Sequence, residues 1–542
     1  LTRSYPQRKQ VRSCPSDTLD DVTVSGAATP QKPLTVVVLA AGEGTRMKSP
    51  GRPKVLHGFA GRSLLGHVLA ATEGLAAEVT AVVIGHLADQ VTEHLQRIAP
   101  DVVPVLQAEQ NGTGHAVRIA LEELEHRSGR PVVGTVLVLP GDAPLLTPAA
   151  LADLLAQHAA TGAAATLLTS LIADPTGYGR VIRDDQQPDR VSRVVEHRDA
   201  NPAELQITEV SALVYAFDAE LLRDAVGRLS TDNAQGEEYL PEVVGILVAD
   251  GRQVSARLAP AYQTAGVNDR IQLATAHRTY NARLLEEHMR AGVTVVDPAT
   301  TWLDAGVVIE PDATLQPNVQ LCGATRIASG AVIGPDSTLT DTEVGAGSVL
   351  QRTVANQARI GAGVTVGPYA YLRPGTVLAD EVHIGTYVEV KAADIGTGTK
   401  VPHLSYVGDA SIGDYTNIGA ATVFVNYDGV QKHRSRVGSH ARTGADNMFI
   451  APVTIGDGAY TAAGSVISSN VPPGALGVGR ARQRNVAGWV LRRRAGTAAA
   501  KAAEQAQAAD QPRTAESDET EAGRPDRTAP ETDTEGRGSI QP

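Results

Sequence analysis

Residues 39–48 read LAAGEGTRMK and follow the β-branched run TVVV. Backbone N–H groups of a glycine-rich turn after a strand can hold phosphate oxygens, and a following helix adds a favourable dipole. Two cations stand near it in sequence, Arg46 within the stretch and Lys54 in SPGRPKVL. Together they suit the charge of a triphosphate. A Walker loop requires G-x-x-x-x-G-K-[ST], which is absent, and a dinucleotide fingerprint would put its third glycine where Met47 stands. Asp142 closes another apolar run, VGTVLVLPGD. A single carboxylate beside phosphate oxygens suits Mg²⁺, although an Asp at a strand end is equally at home as a turn or helix cap.

These side chains need elements to hold them. TVVVLA, VTAVVIG and VGTVLVLPGD have strand length and are bounded by Gly or Asp. Between them lie helix-like stretches such as SLLGHVLAATEGL, with Leu64, Leu65, Val68 and Leu69 at helical spacing. The alternation predicts an α/β, Rossmann-like domain over 34–267, with a mostly parallel sheet and helices on both faces. Ligands in such sheets sit beyond the carboxyl ends of the strands, where LAAGEG and LPGD lie. Residues 268–292 are charged and helix-like, and predict a helix joining two domains.

Beyond Gly292 the period changes. Aliphatic–Gly pairs recur at Ile360, Val366, Ile384, Ile395, Val407, Ile412, Ile418, Val437 and Ile455, at spacings that cluster near multiples of six. That is a hexapeptide repeat. It predicts a parallel β-helix over 293–494, aliphatic residues inward and small residues at the corners. The 19-residue gap from Ile418 to Val437 breaks the phase and holds NYDGVQKHR, an expected functional loop. The polar stretch 1–33 and the Ala/Glu/Thr/Asp-rich stretch 495–542 are expected to be disordered.

The chain of 542 residues carries a formal net charge of −12, so a broad basic surface and a nucleic-acid partner are not expected. Its two cysteines, Cys14 and Cys322, form neither a disulfide framework nor a metal cluster, which fits a cytoplasmic protein. No run approaches the length of a membrane-spanning helix, and residues 1–33 lack the apolar core of a secretory signal.

LAAGEGTRM with PKVLH, then LQAEQNGTGHAV, GDAPLL, DPTGYGRV, VVEHRDA, NAQGEEYL and GVNDR, resemble in order the nucleoside-diphosphate-sugar pyrophosphorylases. GPYAYLRPG, VEVK, PHLSYVGDASIGDYTNIGA and NYDG extend the resemblance, over roughly 34–490, to the bifunctional uridylyltransferase and acetyltransferase family of UDP-N-acetylglucosamine synthesis. The resemblance implies acetyl transfer from acetyl-CoA to glucosamine 1-phosphate, then uridylyl transfer from UTP with release of pyrophosphate. It implies a left-handed β-helix, a homotrimer and small-molecule substrates.

Residue by residue, it implies that Leu39, Ala40, Ala41, Gly42, Arg46, Lys54, Pro140, Gly141 and Asp142 bind the nucleotide and sugar. Gln107, Gln110, Gly112 and Thr113 match the uracil side, and Tyr178, Gly179, Glu196 and Ser211 the sugar side. Asp142 and Asn268 match the Mg²⁺ ligands. One departure stands at the sugar, where Ser211, Ala212 and Leu213 replace the family's usual Asn-x-Gly. It leaves open a weakened or altered uridylyl half. In the β-helix, His403 matches the general base and Glu389 a group that orients it or the sugar amine. Arg373, Lys391 and Tyr406 match the sugar-phosphate contacts, and Asn417, Asn426, Tyr427 and Lys432 the remaining substrate contacts. Ala420, Ala445, Ala463 and Arg480 match the acetyl-CoA groove; Ala445 stands where Ser is frequent, and Ala421 where Gly is common. A non-catalytic nucleotide-sugar sensor on the same scaffold is the remaining alternative, disfavoured by the presence of His403, Asp142, Asn268, Lys54 and Arg46.

Overall fold

The strand Leu34–Ala40 is apolar along its whole length because both its faces are covered. Leu34, Val36, Val38 and Ala40 enter one core with Leu65, Val68 and Val91. Val37 enters the opposite core with Val117, Ala120 and Leu121. In the computed structural model, which describes residues 32–510, this strand lies inside a nine-stranded sheet. From one edge the order is Val254–Leu258, Ala165–Leu171, Glu209–Asp218, Thr135–Pro140, Leu34–Ala40, Val79–Ile84 and Val103–Leu106. Leu34–Ala40 pairs in parallel with both neighbours. Glu209–Asp218 runs antiparallel to both of its own, and the hairpin Arg180–Arg183 and Val191–Val195 hangs from it. Gly141 N donates to Leu39 O at 2.8 Å, so the two strand ends expected to meet a ligand are tied side by side.

The second half of the chain winds short parallel strands. Trp302 pairs with Gln320 and Val308 with Arg326, each 18 positions on. The coil tightens to 16 where Thr338 pairs with Val354. This is a parallel β-helix of the hexapeptide class, and all nine aliphatic residues of the repeat are buried in its core. Ile412 pairs with Val437, 25 positions on, so that coil is seven residues longer than 18. The excess leaves the wall as the 426–434 segment, closed by a bridge between Tyr427 and Lys432.

The helix Arg270–Arg290 joins the halves. Asp269 caps it, accepting from Gln272 N at 2.8 Å. Its Ala276 and Tyr280 pack with Phe59, Leu64 and Leu145 of the α/β half, while Leu285 enters the β-helix core. Asn281 is buried and holds the first coils through Thr301 O at 2.8 Å and Leu303 N at 2.9 Å. The tip Ala60–Gly61 of the α/β half meets the β-helix directly: Ala305 N donates to Ala60 O at 2.9 Å.

A second compact unit begins at Arg480. It contains the helices Trp489–Arg493 and Ala498–Ala509. The expectation of disorder across 495–542 is therefore corrected over Ala498–Ala509. Alanine has the strongest helix propensity, and Thr497 caps the helix by accepting from Ala500 N. Residues 1–31 and 511–542, the bulk of the two expected tails, lie outside the described residues. No helix among the described residues is long and apolar enough to cross a membrane.

Candidate active sites

The glycine-rich turn carries its cation by close approach. Gly44 has φ +65, and a Cβ there would come within 2.4 Å of Lys54 Cβ. Only glycine lets the Lys54 stem lie against the turn. Lys54 Nζ then bonds the Asp142 carboxylate and, at 3.2 Å, Asn268 Oδ1. Arg46 Nη2 donates to the same Asn268 Oδ1 at 2.8 Å. Four residues spread over more than two hundred positions thus converge at the carboxyl ends of two adjacent strands. Val267 N donates to Asp142 O at 2.8 Å, so the segment bearing Asn268 is fastened to the one bearing Asp142.

Beside this cluster, Gln107 is buried with its amide fixed: Nε2 bonds Gly112 O at 3.0 Å and His115 Nδ1 at 3.1 Å. Its side-chain carbonyl takes no partner among the described residues. Gly112 has φ +106, and a Cβ there would lie 2.4 Å from Glu238 O. Thr113 Oγ1 accepts from Leu240 N at 3.0 Å. The residues around Gln107 are thereby clamped to the 237–240 segment. Gln110 is exposed at the rim.

Tyr178, Gly179 and Glu196 lie together on the hairpin side. A Cβ at Gly179 would lie 3.3 Å from Glu196 Oε1. Burial, then the Asp199 charge, holds the Glu196 carboxyl above the usual range; burial, then Asp142, raises the Tyr178 phenol. Ser211 turns inward. It is 5% exposed, its hydroxyl bonds Tyr215 Oη at 2.8 Å, and Leu213 N donates to it at 3.3 Å. The strand bulges between Ser211 and Val214, and Leu213 is left at φ +56. The Ser hydroxyl is engaged within the sheet, while its backbone N–H donates to Gly179 O at 2.9 Å.

In the β-helix, His403 ends the strand Lys400–His403 and is exposed. Its carbonyl is held by Ala421 N at 3.1 Å and Ser405 Oγ at 2.7 Å, while its ring has no partner among the described residues. A fixed backbone and a free imidazole are what a general base needs. Coil by coil, Glu389 pairs with Tyr406, and Tyr406 with Val423. Arg373 Nη1 bonds Glu389 Oε1 at 2.8 Å, which raises the guanidinium pKa. Lys391 Nζ meets Asp409 Oδ2 at 3.2 Å. Asn426 Nδ2 bonds the same oxygen and reaches Tyr406 Oη at 3.3 Å. Lys432 approaches Lys391, and that contact is the chief cause lowering the Lys432 pKa. Three cations, Arg373, Lys391 and Lys432, therefore share one region with two carboxylates.

Asn417 is placed by bridges to Lys400 and Arg442. Tyr427 is exposed, its hydroxyl donating to Gly429 O at 2.6 Å. Ala420 and Ala445 stack on successive coils, with Asp446 N donating to Ala420 O at 2.7 Å and Gly464 N to Ala445 O at 2.8 Å. Ala463 packs under Gly444. Arg480 belongs to the second unit and is exposed. Asp409 was not singled out by the sequence. In SYVGDASIGDYT it is indistinguishable from Asp414, which caps a corner through Thr397 N at 2.8 Å; only the coil geometry turns one onto a backbone N–H and the other toward Lys391.

A MobA-like NTP transferase domain is matched over residues 36–185. The chain is 58% identical over 474 residues to the bifunctional protein GlmU of Streptomyces avermitilis, covering 87% of this chain and 97% of that relative. It is 56% identical over 474 residues to the bifunctional protein GlmU of Streptomyces coelicolor, with the same coverage. To that of Thermobifida fusca it is 56% identical over 478 residues, covering 88% of this chain and 98% of the relative.

Proposed function

The chain belongs to the bifunctional GlmU family, and from that premise we propose how its two sites divide one synthesis. The protein is an enzyme with two activities. It acetylates glucosamine 1-phosphate with acetyl-CoA, and it couples N-acetylglucosamine 1-phosphate to UTP with release of pyrophosphate. Its substrates are small molecules.

In the uridylyl half, the sugar-phosphate oxygen attacks the α-phosphorus of UTP in line as the bond to pyrophosphate breaks. Such transfer asks for positioning and charge neutralisation rather than a covalent protein group. Arg46 and Lys54 neutralise the triphosphate held by the 39–44 turn. The free carbonyl of Gln107 accepts the uracil N3–H, which the fixing of its amide group favours. Tyr178, Gly179 and Glu196 receive the sugar, with the Ser211 backbone holding Gly179 in place. Asp142 and Asn268 fit Mg²⁺: a carboxylate and an amide oxygen are hard donors, and a cation, the Lys54 ammonium, already bridges them. The metal supplies further charge neutralisation on the phosphates when bound.

In the acetyl half, His403 takes a proton from the sugar amine as its nitrogen bonds the thioester carbon. The C–S bond then breaks and the proton passes to the departing CoA sulfur. Arg373, Lys391 and Lys432 receive the phosphomonoester, with Tyr406, Asn426, Asn417 and Tyr427 around the sugar and Glu389 orienting the amine. The small residues Ala420, Ala445 and Ala463 leave room for acetyl-CoA. A homotrimer in the cytoplasm completes the reading.

The observation that carries the uridylyl assignment is the convergence of Arg46, Lys54, Asp142 and Asn268. Asp142→Asn should abolish pyrophosphate release from UTP and N-acetylglucosamine 1-phosphate, as should chelation of Mg²⁺, while thiol release from acetyl-CoA and glucosamine 1-phosphate continues. His403→Ala should do the reverse. Loss of both activities in either variant, or of neither, overturns the division.

A further inference from the structure

The 426–434 segment leaves the wall beside the Lys391–Asp409 pair. Its Asn426 Nδ2 bonds the Asp409 carboxylate, which also meets Lys391 Nζ at 3.2 Å. Lys432 is fully exposed, and no carboxylate oxygen lies within salt-bridge distance of its ammonium among the described residues.

One residue ties the end of the segment to the wall. Arg434, at the end of the segment, spreads its guanidinium over two underlying coils. Nε donates to Ser411 Oγ at 3.0 Å, Nη1 to Ala392 O at 3.1 Å, and Nη2 to Ala410 O at 2.6 Å and Asp394 Oδ2 at 2.5 Å. Ala392 follows Lys391, and Ala410 follows Asp409. The corner between them is turned sharply, with φ +45 at Ala392 and +48 at Asp409. These four bonds therefore grip the backbone beside both members of the Lys391–Asp409 pair and fix the strand end two residues after Lys432. Planar, forked donation to several acceptors is what arginine does and lysine cannot.

We propose that Arg434 is a positioning residue for acetyl transfer: its four bonds hold the end of the 426–434 segment against the wall, so that the phosphomonoester cradle is assembled before substrate binds. The proposal rests on the reading of that cluster as the glucosamine 1-phosphate site. It touches no reacting atom. Its loss is felt in binding, because the substrate anion must then draw the segment back, and not in turnover at saturation.

The test is steady-state thiol release by full-length Arg434→Gln. The KM for glucosamine 1-phosphate should rise roughly tenfold, with kcat within about twofold and the KM for acetyl-CoA unchanged. Arg434→Lys, which keeps the charge and loses the fork, should fail to restore it, and Asp394→Asn should give the same split more weakly. Chymotrypsin should cleave after the exposed Tyr427 faster in Arg434→Gln than in the wild type, with glucosamine 1-phosphate slowing it. Unchanged KM, a fall in kcat without change in KM, or unchanged cleavage would overturn the proposal. If the wild type does not acetylate glucosamine 1-phosphate, the reading of the site falls, while the cleavage rates still decide whether Arg434 holds the segment.

Discussion

Ser211, matched to the sugar side by resemblance, has its hydroxyl engaged within the sheet. Its position on Glu209–Asp218 is beside the hairpin that carries Gly179, so a hydroxyl there reads as a sugar contact. The bulge before Val214 turns the hydroxyl onto Tyr215, which is fully buried. The phenol has no other partner among the described residues. Ser211→Ala should leave a buried hydroxyl unpaired and destabilise the α/β half by about 1–3 kcal/mol, measured by urea unfolding. Because Ser211 meets Gly179 through its backbone, the KM for N-acetylglucosamine 1-phosphate should change little. A large KM effect without loss of stability would mean that the hydroxyl faces the sugar. Residue type was legible here and direction was not, since direction depends on a one-residue irregularity in strand pairing. The same limit hid Asp409, whereas Lys54 and Asp142 were legible because glycine and strand-end context restrict where they can point.

Among elements, the β-helix was the most legible. Its inward aliphatics keep one phase, and a buried face tolerates no slip. The coil of 16 positions was not readable, because corners absorb residues without disturbing that face, whereas the coil of 25 showed as the phase break between Ile418 and Val437. The helix Ala498–Ala509 was hidden by composition: alanine-rich sequence lacks the apolar stripe that signals a packed helix, yet has the strongest intrinsic preference for one. The helix Leu64–Thr72 carries a consequence that periodicity could not show. Its His67 is 3% exposed, stacked on Phe59 with ring centroids 4.4 Å apart and edge-on to Tyr280 at 4.6 Å. Burial lowers its pKa from 6.5 to about 4, despite the hydrogen bond to Phe59 O. The unfolded chain therefore binds this proton more tightly. The stability is fully present above the unfolded value and is lost as pH falls toward about 4, by roughly 3 kcal/mol. His67→Gln, which keeps an N–H for Phe59 O, should lose correspondingly less stability between pH 7 and 4.5. Equal losses in the two proteins would show that His67 does not carry this dependence.

At the scale of the whole molecule, the two catalytic halves share a junction, and its fastening is concentrated in Asn281. The helix Arg270–Arg290 begins beside Asn268 at the uridylyl site and ends in the β-helix core. Phe59, His67, His277, Tyr280 and Trp302 fill the space between the halves with ring contacts of 4.4–5.6 Å. Apolar contacts of this kind are non-directional, so they hold the halves together without fixing how the first coil meets the helix. Asn281 fixes it, because one amide satisfies both Thr301 O and Leu303 N, and both bonds are buried. Asn281→Ala removes both partners at once and should cost about 2–5 kcal/mol at the junction. That cost falls on neither active site. Pyrophosphate and thiol release at 25 °C should therefore stay near wild type, while differential scanning calorimetry should show the α/β half and the β-helix melting further apart than in the wild type. If the transitions do not separate, the aromatic cluster and the Ala305–Ala60 bond couple the halves and the amide is dispensable. If instead pyrophosphate release falls while the melting profile is unchanged, the helix transmits the position of the first coil to Asn268, and the β-helix forms part of the uridylyl site's support.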